Sequence, residues 1–182
     1  MLKNLKNGFI VQNIKEFYMG YENYNGIAKY TSWPLQKIRG EDEEKITSNL
    51  EKKLYFKDGI VAITKIEMLN DYLSLCSKNN IYVRILFIES ENCNLNSLEN
   101  YKNNIFLGWD LVLTGLDFYS AICDEYDLIK KHGLSKNINS NGLFYDEKKL
   151  KEYIKIREQY NNNEIEVDED FIIIKVYEVF EK

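Results

Sequence analysis

The chain has 182 residues, of which 45% are hydrophobic and 29% charged, with a formal net charge of −5. This size and composition predict one globular domain that buries an apolar core without disulfides or a structural metal. Because an acidic protein is repelled by a phosphate backbone, the charge disfavours direct nucleic-acid binding and fits a partner with a basic surface.

The cysteines and the apolar runs bear on the compartment. Cys76, Cys93 and Cys123 show no paired spacing, and an odd number of such cysteines is typical of a reducing cytosol. The N-terminal residues lack the apolar segment of a signal peptide, and no apolar run approaches the roughly 20 residues that span a bilayer. We therefore expect a cytoplasmic protein that does not enter the membrane.

In chain order, the first half indicates strands and helices in alternation. Apolar residues within 8–31 predict strands joined by a turn. The acidic start and four-residue apolar spacing of 41–57 predict a surface helix. A capping-box pattern at Thr64–Glu67 predicts a helix that ends at Asn79. The nearly continuous apolar run 81–88 predicts a central strand that is covered on both faces.

The middle of the chain reads as a strand, a turn and a helix. Residues 105–113 predict a buried strand, and Gly108 within it indicates a β-bulge or a close backbone approach. Asp117 is the predicted N-cap of a helix over 118–131. This stretch mixes aromatic and acidic residues densely, so we expect the rest of the chain to pack around it.

The last third predicts one helix and one strand. Asp146 can cap a helix over 147–160, and the apolar residues 171–180 predict a strand that pairs with distant sequence. We find no internal repeat and no linker. The sequence thus predicts a single α+β domain over residues 1–182, with a mixed or mainly antiparallel sheet and helices packed on it.

A catalytic or metal-binding signature is missing from the sequence. Cys123 and His132 lie nine residues apart on one predicted helix, so their side chains point in different directions and do not form a nucleophile pair. The cysteines are not clustered as zinc ligands are, and no glycine-rich phosphate loop is present. We expect no catalytic residue, cofactor or metal. A small enzyme that uses carboxylates, with or without magnesium, stays open as an alternative; its candidates are Asp110, Asp117, Asp124 and Asp127.

Aromatic residues near the N-terminus exceed what one small core takes up. They are Tyr18, Tyr21, Tyr24, Tyr30 and Trp33. Tyrosine and tryptophan are enriched where proteins recognise other proteins. We therefore expect some of these side chains to be exposed at a protein-binding surface.

Two short segments carry a family resemblance. Phe106-Leu107-Gly108-Trp109-Asp110, followed by Phe118-Tyr119-Ser120-Ala121-Ile122, resembles a pattern of small bacterial immunity proteins from polymorphic toxin systems. In that pattern a strand reading Leu-Gly-aromatic-acidic leads through a short turn into a helix. The resemblance covers about twenty residues, and it implies a protein that binds a cognate toxin and neutralises it.

The resulting hypothesis is a non-enzymatic immunity protein whose acidic and aromatic residues contact a basic toxin. Opposite charge at such an interface speeds encounter. The predicted partner-binding residues are Trp109, Asp110, Tyr119, Asp124, Glu164, Glu166, Asp168 and Asp170. The second hypothesis is a phage- or plasmid-encoded acidic inhibitor that mimics nucleic acid and binds a host nucleic-acid enzyme.

Overall fold

The structure is a computed structural model, and it describes residues 8–13, 26–27, 30, 63, 66–90, 103–114, 118–161 and 171–180. Several predicted features lie outside these residues. They are the helix over 41–57, the capping residue Thr64, the predicted N-cap Asp117, the acidic run 164–170 and the aromatic residues Tyr18, Tyr21, Tyr24 and Trp33.

Within the described residues, five strands form one antiparallel sheet. They are β1 (Gly8–Asn13), β2 (Val83–Ser90), β3 (Asn104–Thr114), β4 (Phe118–Ser120) and β5 (Phe171–Val179). The strand order is β1-β2-β5-β3-β4, and every neighbouring pair is antiparallel. The last strand therefore lies in the middle of the sheet, between strands that precede it by many residues. The predicted α+β class with a mainly antiparallel sheet is confirmed.

The described helices are α1 (Ile66–Lys78), α2 (Ala121–Asp124), α3 (Tyr126–Lys131) and α4 (Glu147–Asn161), with a 3-10 turn at Ser135–Asn137. Helix α4 begins where the sequence predicts it, because the Asp146 carboxylate accepts a hydrogen bond from the Lys148 N–H at 2.9 Å. None of these helices is long and apolar enough to cross a membrane.

The predicted helix over 118–131 is corrected in two places. Residues Phe118–Ser120 are extended and pair with the end of β3, so the chain makes a hairpin before it turns helical. Ser120, rather than Asp117, is the N-cap, and its Oγ accepts from the Cys123 N–H at 3.4 Å. The helix is then interrupted at Glu125. Pairing with β3 satisfies backbone groups that a longer helix would have bonded internally.

The sheet separates two core layers. On one face, here the helix-covered face, α1 packs over β1 and β2, while α2, α3 and α4 pack over β3 and the start of β5. The opposite face buries side chains of all four long strands against Ile27, Tyr30 and Leu143. Since strand side chains alternate between faces, neighbouring residues of β3 belong to different layers.

Candidate functional site

A β-bulge in β3 arranges the aromatic residues of the candidate site. The pairing of β3 with β5 shifts register between Phe106 and Gly108. The extra residue places Phe106 and Trp109 on the same face, where their rings meet edge to face at a centroid distance of 6.0 Å. The predicted bulge and close approach at Gly108 are both confirmed, because a Cβ on Gly108 would lie 2.7 Å from the Phe144 carbonyl oxygen.

An aromatic strip, here Phe106, Trp109, Lys175 and Tyr177, follows from this arrangement. The Phe106 and Tyr177 rings lie 5.3 Å apart, and the Lys175 ammonium lies 5.2 Å from the Trp109 ring centroid. Tyr177 packs against the core under α1, whereas Trp109 packs against the core under α2–α4. The strip is therefore a half-open part of the sheet between two helix-covered parts.

Glu89, on the neighbouring strand β2, stabilises the strip. Its carboxylate is buried, accepts a hydrogen bond from the Tyr177 hydroxyl at 3.1 Å and lies 3.7 Å from the Lys175 ammonium. Burial, followed by the charge of Glu89, raises the pKa of Tyr177 to about 12. Tyr177 therefore stays a neutral hydroxyl at physiological pH, and Lys175 is held over Trp109 by an ion pair and a cation–π contact.

A second feature is an apolar patch at one end of the sheet. The sheet-end patch consists of Tyr82, Ile105, Phe106 and Phe180, whose exposed fractions are 71%, 56%, 43% and 43%. Antiparallel pairing brings them together, because β2 and β3 begin where β5 ends. Apart from these four, the exposed large apolar side chains in the described part are Tyr145 and Tyr160. A concentration of exposed apolar residues at one place is typical of protein-binding surfaces.

An ion pair lies within the sheet-end patch. The Arg84 Nη2 donates a hydrogen bond to Glu178 Oε2 at 3.0 Å, and Arg84 Nε lies 2.6 Å from Glu178 Oε1 in the same ion pair. The Arg84 Nη2 also contacts the Asn141 side-chain oxygen at 3.3 Å. These contacts join β2, β5 and the segment before Phe144.

One predicted partner-binding residue, Asp110, lies in the interior of the protein. Asp110 is fully buried, and it cannot touch a partner in this conformation because its side chain points away from the Trp109 face. The Tyr30 hydroxyl donates to its Oδ2 at 2.5 Å, while the Ser120 hydroxyl and Leu111 N–H donate to its Oδ1 at 2.9 and 2.7 Å. Burial raises the pKa of Asp110 to about 7, although these hydrogen bonds oppose the shift.

The buried bonds give the 106–122 pattern a structural role. Its acidic residue, Asp110, and its serine, Ser120, bond to each other across the β3–β4 hairpin. Tyr30, one of the five N-terminal aromatic residues, is fully buried against them; the expectation that some of the other four are exposed stays a prediction. A substrate could not reach Asp110 either, since none of its surface is exposed to solvent.

The other predicted partner-binding residues are spread over the fold. Trp109 is half-buried in the aromatic strip. Tyr119 pairs with Leu113, near the end of β3 that lies away from the sheet-end patch. Asp124 is exposed at the last position of α2. Glu164, Glu166, Asp168 and Asp170 lie outside the described residues, so the structure does not bring the predicted set together.

The sequence signal for the sheet-end patch was present but weak. Tyr82, Ile105 and Phe180 belong to apolar strand segments, and the sequence analysis treated such segments as core. Their position at strand ends is the signal that could have distinguished them from core residues. A strand terminus often extends past the elements that cover the sheet, but which termini coincide depends on pairing between distant segments.

A largely buried polar cluster anchors α4 to the junction between α2 and α3. The Arg157 Nε donates to Glu125 at 2.7 Å, and the Tyr153 hydroxyl donates to the same carboxylate at 2.5 Å. Arg157 is buried and also lies over the Phe171 ring. Burial, followed by the Glu125 charge, raises the pKa of Tyr153, which keeps this hydroxyl protonated. These contacts make the cluster a structural clamp.

We expect Arg157→Met to lower the free energy of unfolding by about 2 kcal/mol, because Glu125 keeps Tyr153 but loses its cation. Chemical denaturation measures this change. Lys151→Met on the same helix is the control: Lys151 pairs with Glu147 at the surface, where such pairs contribute under about 1 kcal/mol. Equal effects of the two variants would contradict the clamp.

Reactive or metal-binding groups do not assemble within the described ranges. Burial raises the pKa values of Cys76 and Cys123 to about 12, so both thiols stay protonated and unreactive. His132 is exposed at the C-terminal cap of α3. No group of three or more histidine, cysteine or acidic residues among the described residues could hold a metal ion.

The aromatic strip and the sheet-end patch share Phe106, and together they hold most of the exposed large apolar side chains among the described residues. No protein-family model, curated protein or solved structure matches this chain.

Proposed function

We propose that this chain is an immunity protein that binds a cognate bacterial toxin and neutralises it by direct contact. The observation that carries the proposal is the exposure of Tyr82, Ile105, Phe106 and Phe180 at one end of the sheet, where Phe106 also belongs to the aromatic strip. Aromatic side chains with a charged neighbour are the usual anchors of a protein interface.

The proposed contact has a rigid framework. Phe106 is braced by Trp109 and Tyr177, and the Arg84–Glu178 pair holds the neighbouring strands. A surface that is already ordered loses little side-chain entropy on binding, so more of its contact energy appears as affinity. This property suits an inhibitor that must bind its toxin tightly.

Charge supports the choice of partner. The chain carries a net charge of −5, which favours association with a basic protein and speeds encounter at low salt. Many toxins that act on nucleic acids need a basic surface to bind their substrate. Such a surface would attract this chain over a distance, while the sheet-end patch would supply the apolar contact.

The test is a pair of matched substitutions at equally exposed aromatic residues. Phe106 and Tyr160 are each 43% exposed, but Tyr160 lies on α4 outside the proposed surface. We expect Phe106→Ala to weaken toxin binding by about 2 kcal/mol, or roughly 30-fold, as removal of an interface anchor does. We expect Tyr160→Ala to change it less than about threefold, since it is away from the contact.

The partner for this measurement is the product of the gene immediately upstream, with affinity measured by calorimetry and protection measured by growth during toxin expression. Circular dichroism and thermal unfolding of both variants control for folding. Equal loss for Phe106→Ala and Tyr160→Ala would place the contact elsewhere. If the upstream product is not toxic and does not bind the chain, the immunity function is wrong.

A further inference from the structure

The start of β3 presents backbone hydrogen-bonding groups at the edge of the sheet. The Phe180 N–H donates to the Asn103 carbonyl at 3.1 Å, so residue 103 bonds toward β5. In an antiparallel ladder, bonding toward a given neighbour alternates along the strand. Ile105 therefore also bonds toward β5, whereas the N–H and C=O of Phe106 point away from it.

The β-bulge between Phe106 and Gly108 changes this alternation in the rest of β3. Trp109 exchanges two 2.9 Å backbone bonds with Phe144 on the side away from β5. Before that point, the Leu107 carbonyl accepts from the Asn139 side chain at 2.6 Å. The segment Asn139–Phe144 thus covers this edge from Leu107 onward, and it stops short of Phe106.

The edge at Phe106 is open to solvent. Residues 103–106 are all exposed, and in the part of the chain that the structure describes β4 covers this side of β3 only at Val112–Thr114. The side chains at this edge are apolar on both faces, because Ile105 and Phe106 point in opposite directions. Natural sheets commonly protect an open edge with lysine, proline or a covering loop. None of the residues 103–106 is lysine or proline.

We propose that the toxin binds by adding an extended segment of its own to the edge of β3 at Phe106. This inference rests on the proposed function and specifies how the contact is made. The Phe106 main chain would exchange hydrogen bonds with the added segment, and Ile105 and Phe106 would contact its apolar side chains on the two faces. Binding of this kind takes its affinity from the main chain and its specificity from alternate side chains.

A toxin segment fits this edge better than a second copy of the chain does. In an antiparallel pair of two copies centred on Phe106, residue 103 of one copy would face Trp109 of the other. That position is already occupied by Phe144. Two copies with a net charge of −5 each would also repel one another. A segment of a basic partner meets neither obstacle if it ends or turns away before it reaches Asn139.

Amide hydrogen exchange at two adjacent residues tests the proposal. The Ile105 N–H bonds toward β5 in either state, so it should exchange slowly in the free chain and in the complex. The Phe106 N–H faces the open edge, so it should exchange rapidly in the free chain. In the complex with the upstream gene product, purified after co-expression, we expect Phe106 exchange to slow by at least a hundredfold.

The possible results separate this inference from the proposed function. A stable complex in which Phe106 still exchanges rapidly would overturn strand addition and leave toxin binding intact. If exchange of the Phe106 N–H in the free chain slows as the concentration of the chain is raised, a second copy binds this edge. That result would overturn the proposal. Failure of the two proteins to form a complex would overturn the proposed function itself, and the inference with it.

Discussion

Gly108→Ala is expected to lower the free energy of unfolding by about 4 kcal/mol, the larger part from displacement of a neighbouring segment. Gly108 has φ of +150°, and an added Cβ would lie 2.7 Å from the Phe144 carbonyl oxygen and 2.8 Å from the Leu143 Cβ. Because one of these contacts is with backbone, the clash cannot be relieved by rotation of a side chain. The two hydrogen bonds between Trp109 and Phe144 would be strained or lost.

Gly133→Ala separates two contributions to the loss of stability at Gly108, the steric clash and the strained backbone conformation. Gly133 also has a positive φ, +71°, but nothing lies within 4 Å of an added Cβ. In this variant the free energy of unfolding should therefore fall only by the cost of holding alanine in the left-handed backbone region, about 1 kcal/mol. Chemical denaturation of both variants gives the comparison. Similar losses at the two positions would show that the close approach at Gly108 relaxes without cost.

The same substitution bears on the candidate site. The bulge at Gly108 places Phe106 and Trp109 on one face, and the neighbouring segment leaves the Phe106 edge open. If Gly108→Ala shifts the register of this strand by one residue, side chains move to the other face. Phe106 and Trp109 would then no longer meet in the aromatic strip. We expect any folded fraction of this variant to bind the partner more weakly than wild type does.

Asp110→Asn is expected to remove a pH dependence of stability that amounts to about 2–3 kcal/mol between pH 5 and pH 8. The pKa of Asp110 is about 7 in the folded chain, because burial penalises the charged form. An unfolded aspartate has its pKa near 3.9. Between these two values the folded state binds a proton that the unfolded state does not bind.

The sign of the effect follows from this difference. The contribution of Asp110 is fully present below pH 4 and is lost as the pH rises through about 7, so wild type should become less stable over this range. Asparagine cannot ionise, and the variant should gain stability relative to wild type as the pH rises. Cys123 also lies near this carboxyl, but its pKa of about 12 keeps it from titrating in the window.

Urea unfolding at several pH values, expressed as the difference between variant and wild type, isolates this carboxyl from the other titrating groups. Asp127→Asn, which makes the same substitution at an exposed carboxyl on α3, is the control. A flat difference for Asp110→Asn between pH 5 and pH 8 would contradict the effect of burial. A carbon-13 titration of the Asp110 carboxyl measures the same pKa directly.

Local signals in the sequence determined most individual elements. The apolar runs 105–113 and 171–180 are β3 and β5 within about one residue, and Asp146 caps α4 as its side chain predicts. Gly108 marked a bulge because few other residues tolerate both its backbone angle and the close approach of Phe144. The strands and the helix cap depend on residues that are near one another in the sequence, whereas the approach of Phe144 to Gly108 joins distant segments.

Tertiary structure decided what the sequence could not. Residues 118–120 became a strand because β3 offered them a partner, and the distant Tyr30 and nearby Ser120 together enclosed Asp110. The sheet-end patch exists because β5 inserts between β2 and β3, which aligns three strand ends that are far apart in the chain. Local propensity carries no information about such pairing, so the candidate surface became visible only in the folded protein.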